Sequence, residues 1–222
     1  MTAGHWPVRW TPWLLAALAW PMAGWVFFEG QRTARADWAS AAARQHVVRW
    51  VSGAAAPSDT DEWEAARSAI QHSLNLVPDS PEMQERMGDV YSVAGQVSWA
   101  NDRLRNDYFK RAAAHYESAV ALRPSESGTW AMLAAARQAM RASPASVQQA
   151  WAQARKLGPF EGHVQPMLMQ VALADWDNAS PVMQNWAKGL FDRGGPVMQA
   201  EINALAGRYG LVFKPDVSPT AQ

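Results

Sequence analysis

The chain has 222 residues, of which 49% are hydrophobic and 18% are charged, so it can bury one sizeable core. Its 20 basic residues balance 20 acidic residues, and the lack of a basic excess argues against nucleic-acid binding. It contains no Cys, which excludes a disulfide framework and a thiolate metal site.

The first predicted element is a helix that crosses a membrane. No charged residue occurs from Trp10 to Phe28, and a helix of this length, at about 1.5 Å per residue, nearly spans a hydrocarbon core of about 30 Å. Trp6 and Trp25 lie near the two ends, as is typical of interfacial belts. A cleaved signal peptide is the alternative, but no small-residue cleavage site precedes Glu29. We therefore predict an uncleaved single-pass anchor over residues 1–31.

Helices are predicted for the rest of the chain, with a helical domain over residues 32–210. The first helix of this domain is expected over 32–52, and a capping signal at Thr60 or Asp61 before Glu64 begins the second. Two helices near the C-terminus are expected over 179–192 and 196–209. The tail, residues 211–222, contains two prolines and is expected to be flexible.

The middle of the chain contains a degenerate repeat of helix pairs. Its signature residues are Met87, Gly88, Tyr91, Ala112, Tyr116, Ala119 and Pro124. They resemble the tetratricopeptide (TPR) repeat of about 34 residues, in which a small residue lies where the two helices cross. The same spacing recurs in Ala66, Ile70, Ser73 and Pro78 before it and in Trp130, Leu133, Ala134 and Gly158 after it.

The predicted fold is therefore all-α. A single N-terminal transmembrane helix precedes a TPR-like α-solenoid of antiparallel helix pairs, with about three repeats and a non-standard cap. In this register Gly88 lies at a helix crossing, whereas Gly95 lies outside it.

One segment of the central repeat is about twelve residues longer than the standard pattern. It either lengthens both helices or forms a protruding loop. Its mixture of an aromatic with polar residues is typical of interfaces, so it is our first candidate site for a protein partner, formed by Trp99, Asn101, Asp102, Arg103 and Arg105. The alternative is that Trp99 packs inside the longer hairpin.

A second candidate site for a partner is the concave groove of the repeats. The repeat register places Glu82, Glu85 and Asp89 there, and the next repeat adds Gln138 and Ala139. The groove would be acidic at one end. The alternative is that the acidic residues form an ordinary solvated helix face.

No catalytic motif is found. The five His residues occur singly, without a second His or a carboxylate at metal-ligand spacing. The chain also lacks the G-x-S-x-G elbow, the Walker loop and the dinucleotide fingerprint. We expect a non-enzymatic protein without cofactor or metal, and no small-molecule substrate is evident.

The downstream half carries a sharper family resemblance. Leu157-Gly158-Pro159-Phe160-Glu161, followed by Val164-Gln165, comes after a Trp-x-x-Leu-Ala helix at Trp130. In this order the residues resemble the VpsP family of bacterial exopolysaccharide biosynthesis proteins, although Phe160 and Gly162 stand where Trp and Pro are expected. In physical terms the motif predicts a helix stop, a turn, and an aromatic, Phe160, that packs back on the hairpin.

The resemblance implies an accessory protein of the bacterial inner membrane with its body in the periplasm. The basic residues beside the span argue the other way, since Arg9 precedes it and Arg32, Arg35 and Arg44 follow it. Two functions stay open. One is a scaffold that holds protein partners for exopolysaccharide biosynthesis or export. The other is a structural or assembly subunit of another envelope complex, such as a secretion or pilus apparatus.

Overall fold

The computed structural model describes residues 11–98 and 100–214, with side chains from Ala19 onward. The described residues form helices and loops without a β-strand, which confirms the all-α prediction. The helices are α1 (Thr11–Val51), α2 (Thr60–Leu76), α3 (Pro81–Val97), α4 (Asp102–Leu122), α5 (Ser127–Ala139), α6 (Pro144–Leu157), α7 (Val164–Ala174), α8 (Pro181–Arg193) and α9 (Pro196–Gly207), with a short 3-10 helix at Trp176–Asn178.

Side-chain caps and prolines set where most of these helices begin. An Asp, Asn or Ser side chain accepts a backbone N–H at the start of five helices, from Asp59, Ser80, Asn101, Ser143 and Ser180. The predicted cap of α2 at Thr60 or Asp61 is wrong. Asp59 accepts from the Glu62 N–H instead, and the Glu62 carboxylate accepts from the Ser58 N–H at 2.7 Å.

Helix α1 is continuous across residue 31, where the sequence predicts the anchor to end. No side chain from residue 19 to residue 35 is buried. Beyond that point one face of α1 is buried at alternating spacings of four and three residues, through Ala36, Ser40, Ala43, Val47 and Trp50. This face packs against α2 and α3, and the Ser73 hydroxyl donates to the Ala36 carbonyl at 2.6 Å.

The N-terminal part of α1 carries exposed apolar side chains, among them Trp20, Trp25, Phe27 and Phe28. Within the part of the chain that the structure describes, no helix is long and apolar enough to cross a membrane. The predicted span, Trp10 to Phe28, begins outside that part, so the anchor stays a prediction.

The helices of the body pack pairwise, α1 with α2, α3 with α4 and α5 with α6. The pairs join through α2 against α3 and α4 against α5, and α7 then packs on α5. One apolar core runs through all of these helices, from Ala43 to Met183. The predicted interior residues of the repeats, including Ile70, Leu133 and Ala134, are fully buried.

Two glycines of α3 lie against aromatic rings of α4. A Cβ on Gly88 would lie 2.5 Å from Cε1 of Tyr116, which agrees with the close approach predicted there. A Cβ on Gly95 would lie 2.8 Å from Cε2 of Phe109. Gly95, which is predicted to lie outside the crossing, therefore also packs against a side chain of α4.

The C-terminal helices enclose a second, smaller core, formed by Met169, Leu173, Ala187, Phe191, Ile202 and Ala206. The chain after α9 folds back onto it. Phe213 packs against Trp176 and Phe191, and its backbone N–H donates to the Asn203 side chain at 2.8 Å. The tail predicted to be flexible from residue 211 is thus packed at Phe213, and residues 215–222 lie outside the described part.

Candidate binding cleft at the extended hairpin

The long segment of the central repeat lengthens two helices. Helix α3 continues to Val97 and α4 begins at Asp102, so four residues connect them and the first of the two alternatives is correct. We call α3, this connection and α4 the extended hairpin. Trp99 lies outside the described residues, and its role as a partner contact or as a packing residue stays a prediction.

The polar residues predicted beside Trp99 have different environments. The Asn101 side chain caps α4 by accepting the Leu104 N–H at 3.0 Å, which is a structural role. Asp102 pairs with Arg105 at 2.9 Å, one helical turn away. Arg103 is exposed. Of the predicted set, Arg105 lines a broad cleft.

This cleft has a volume of about 920 Å³. It lies where the end of α3 and the beginning of α4 face the α5–α6 and α7–α8 connections. Gly95, Gln96, Arg105 and Phe109 come from the extended hairpin, and the other walls include Gln138, Ala139, Arg141, Val147, Gln148, Val171, Asp175, Asn178, Ser180 and Met183. Gln138 and Ala139, both predicted to line a groove, are therefore brought together with Arg105.

The rim of the cleft is rich in free hydrogen-bonding groups. Within the described residues, the side chains of Gln96, Gln138, Gln148 and Arg141 make no hydrogen bond. Arg141 has a φ of 56°, in the left-handed region that favours Gly. The reason is local. Arg141 follows the end of α5, where the Ala142 N–H donates to the Arg137 carbonyl and closes the helix.

The acidic groove residues are mostly not at a surface. Glu85 is 8% exposed and Asp89 is fully buried, so the expectation that both face an open groove is wrong. The Glu85 carboxylate accepts from the Thr129 hydroxyl at 2.6 Å and pairs with Arg123 at 3.1 Å. Glu82, by contrast, keeps a half-exposed side chain that pairs with Arg44 at 3.2 Å.

Asp89 is the centre of this buried network. The Tyr116 hydroxyl donates to it at 2.8 Å, and Arg86 pairs with it at 2.7 Å. Burial raises the pKa of Asp89 to about 6, against the opposing effects of Arg86 and Tyr116. The network ties α3 to α4 and, through Thr129, to α5. The network therefore fixes the packing of the extended hairpin against α5.

A smaller pocket of about 410 Å³ lies on another side of the extended hairpin, between α2 and α4. Trp63 and Tyr108 meet edge to face in it, with ring centroids 5.8 Å apart. The Trp63 indole N–H is already used, because it donates to the Val90 carbonyl at 2.9 Å. Glu64 and Arg67 pair with each other at the rim, which leaves this pocket with fewer free polar groups than the cleft.

The turn that carries the family resemblance, residues 157–165, does not pack as the sequence predicts. Phe160 is 90% exposed, so the expectation that it packs back on the hairpin is wrong. Its neighbours fix the turn instead. The Ser127 hydroxyl donates to the Glu161 carboxylate at 2.6 Å, and a Cβ on Gly158 would lie 2.6 Å from the Ser127 Oγ.

Comparison with known proteins leaves the family open, since the chain matches no protein-family model and no curated protein. Among the residues that the structure describes, no cluster of three or more His or carboxylate side chains is arranged to hold a metal ion. His115 is bonded to Gln84 at 2.8 Å, and burial lowers its pKa.

Two features of the cleft are not foreseen from the sequence. Gln148 reaches it from α6 and Asp175 from the residue that follows α7, and neither is predicted to line a site. Arg141 is missed as well, although a signal exists. An Arg at a helix end where Gly is common, followed by Ser143-Pro144 as the next helix start, marks a tight connection whose long side chain has to point outward.

Proposed function

We propose that this protein is a non-catalytic, membrane-anchored scaffold of TPR-like helix pairs. The observation that carries the proposal is the division of α1. In its N-terminal part the described side chains, from residue 19 to residue 35, include exposed apolar groups and none is buried, whereas from Ala36 onward one face of α1 packs on the body. A helix of this kind joins a membrane segment to a binding domain without a linker.

We further propose that the scaffold is accessory to bacterial exopolysaccharide biosynthesis or export. The resemblance of the 157–165 turn to the VpsP family supports this. So does the high exposure of Phe160 in that turn, because an aromatic that is not used for packing is available to a partner. The body lies in the periplasm in this proposal, and protein partners bind its exposed turns, among them the turn that carries Phe160.

The anchor is tested by membrane extraction of the full chain. A charge at the centre of a spanning helix costs about 2.5 to 3.5 kcal/mol on insertion scales, so Leu18→Arg should release much of the protein from the membrane fraction. Trp38→Arg is the matched control, because Trp38 is 86% exposed on the body side of α1. Wild-type protein that washes off with carbonate would contradict the anchor.

The partner is tested by crosslinking in intact cells and capture of the full chain from native membranes. Recovery of glycosyltransferases or polymer-export proteins, with less surface polysaccharide in a deletion strain, is the expected result. Recovery of secretin or pilin components with unchanged polysaccharide would favour the envelope-assembly alternative. A phosphatase that is active only in the periplasm, fused after Gln222, reports which side of the membrane the body occupies.

A further inference from the structure

The polar rim of the cleft has the chemistry of a site for many small hydroxyl groups. Gln96, Gln138 and Gln148 each present a carboxamide that donates two hydrogen bonds and accepts two. A sugar hydroxyl also donates and accepts, so an amide satisfies neighbouring hydroxyls of one ring. None of these three amides has a hydrogen-bonding partner within the described part of the chain, so a ligand would not have to displace an existing contact.

The apolar part of the cleft is a floor rather than a deep pocket. It consists of small or recessed groups such as Gly95, Phe109, Val147 and Met183, and Phe109, the aromatic of this floor, is 7% exposed. Protein partners usually bury an aromatic or Arg anchor in a desolvated pocket. The open cleft offers no such pocket among its described residues, but its floor suits the flat C–H faces of sugar rings.

The charges of the cleft favour an anion. Arg141 and Arg105 line it together with the carboxylate of Asp175. Arg105 is already paired with Asp102 at 2.9 Å, and Asp175 accepts from the Asn178 amide at 2.8 Å, so the guanidinium of Arg141 is the main attraction for an anion. Arg141 has no carboxylate partner among the described residues. A planar guanidinium binds a carboxylate through two parallel hydrogen bonds. A ligand that carries both hydroxyl groups and carboxylates would match the carboxamides and the guanidinium groups of the rim.

We propose that the cleft binds a segment of an acidic polysaccharide, with sugar hydroxyls on the carboxamides and a uronic acid carboxylate on Arg141 and Arg105. This inference rests on the proposed function, because exopolysaccharide biosynthesis or export would bring such a polymer to the protein. It adds that the scaffold binds the polymer chain as well as protein partners. The extended hairpin contributes Gln96 and Arg105 to the cleft. The lengthening of its two helices is therefore needed to form the site.

The test measures binding of oligogalacturonate to the full chain in detergent micelles by calorimetry. Binding should weaken as salt is raised, since screening acts on the carboxylate contacts. Arg141→Asn removes the guanidinium and keeps a residue that tolerates positive φ. We expect it to weaken binding about tenfold, the loss of one charge-assisted pair. Gln138→Ala and Gln148→Ala should each weaken it several-fold. Arg208→Gln, on an exposed residue outside the cleft, is the control.

Three results would overturn the inference. They are no binding of oligogalacturonate, equal binding of the carboxyl-reduced oligosaccharide, and binding unaffected by Arg141→Asn in a variant with unchanged helicity and melting temperature. An acidic peptide that competes more strongly and shows the same sensitivity would assign the cleft to a protein segment instead. Capture of membrane partners by an Arg141→Asn protein separates the two proposals, because the scaffold function would stand while the polysaccharide site failed.

Discussion

At the scale of single residues, Asp89 is held in a closely defined buried environment. Its carboxylate is buried, accepts from Tyr116 and pairs with Arg86. An ionised group in such a place requires partners that compensate for lost hydration. The compensation here is incomplete, because burial still raises the pKa of Asp89 to about 6.

The raised pKa predicts how stability depends on pH. The pKa of Asp89 is about 6 in the folded state, against an ordinary value of 3.8 for an Asp carboxyl group. The folded protein therefore binds more protons between these values, and stability is full near pH 4 and falls as the pH rises to about 6. The change amounts to about 3 kcal/mol at most. Asp89→Asn should remove this part of the pH dependence, as measured by urea unfolding from pH 4 to pH 7.

Glu82→Gln is the control variant for this pH series. Glu82→Gln changes a half-exposed carboxylate of the same helix and should leave the pH profile of the wild-type protein in place. If Asp89→Asn and wild-type curves stay parallel from pH 4 to pH 6, Asp89 does not titrate as its burial implies.

The glycines of α3 give a second prediction at this scale. Gly88→Ala should destabilise the protein by about 1 to 3 kcal/mol, since the Tyr116 ring is buried and its hydroxyl is held by Asp89. Gly95→Ala should cost less, because the Phe109 ring makes no hydrogen bond and borders the cleft, so it can shift. Thermal unfolding measures both, with Gly30→Ala, which meets nothing within 4 Å, as the control. A larger loss at Gly95 would contradict this ranking.

Residue-scale reasoning from the sequence succeeds where the rule is steric and local. A small residue is needed at position 88 for the helices to cross, and the spacing of the repeat alone identifies Gly88. The environment of Asp89 is not predicted correctly, because it depends on a distant contact. A carboxylate on a helix is normally solvated, and its burial here depends on Tyr116, which is far along the chain and whose hydroxyl no pattern assigns to Asp89.

At the scale of elements, the two parts of α1 should differ sharply in what they contribute. Removing residues 1–35 takes away no described side chain that is buried, so the remaining domain should unfold at nearly the same temperature as the full chain. Removing residues 1–52 also takes away Val47 and Trp50 and uncovers α2 and α3. Loss of one buried Trp side chain alone costs about 3 to 5 kcal/mol.

Circular dichroism on heating distinguishes the two truncations. The shorter deletion should retain a cooperative transition, and the longer deletion should lose it or melt far earlier. Equal behaviour of the two proteins would mean that the buried face of α1 is not part of the core.

The elements themselves are largely predictable, and their ends less so. Prolines at the first turn and Ser at the cap fix the starts of α3, α6 and α8. The sequence predicts the anchor to end at residue 31 because charged residues follow Phe28 and Gly30 is a poor helix former. Helix α1 nevertheless runs through Gly30, since a single Gly weakens a helix without ending it.

At the scale of the whole molecule, the protein has two apolar cores of unequal size. The larger one joins α1 to α7 and includes Met183 of α8, and the smaller one lies among α7, α8, α9 and Phe213. Regions with few buried apolar contacts open locally at lower free energy than the main core. Amide exchange should therefore be faster in residues 181–213 than in α3 to α6.

Phe213→Ala tests the coupling between the tail and the smaller core. The ring packs on Trp176 and Phe191, so its loss should speed exchange in α8 and α9 and leave α3 and α4 unchanged. Hydrogen exchange measured by mass spectrometry resolves the two regions. Equal acceleration throughout the chain would indicate one cooperative unit.

The continuity of α1 also limits where the protein can work. If the apolar segment ends in the bilayer surface near Phe28, the first buried residue of the body, Ala36, lies about 12 Å further along a helix with a rise of about 1.5 Å per residue. A helix cannot swing as a disordered tether does. With the proposed anchor, the cleft would then stay within a thin layer beside the membrane, and with the proposed polysaccharide site it would meet a growing polymer as the polymer leaves the bilayer rather than after it has diffused away.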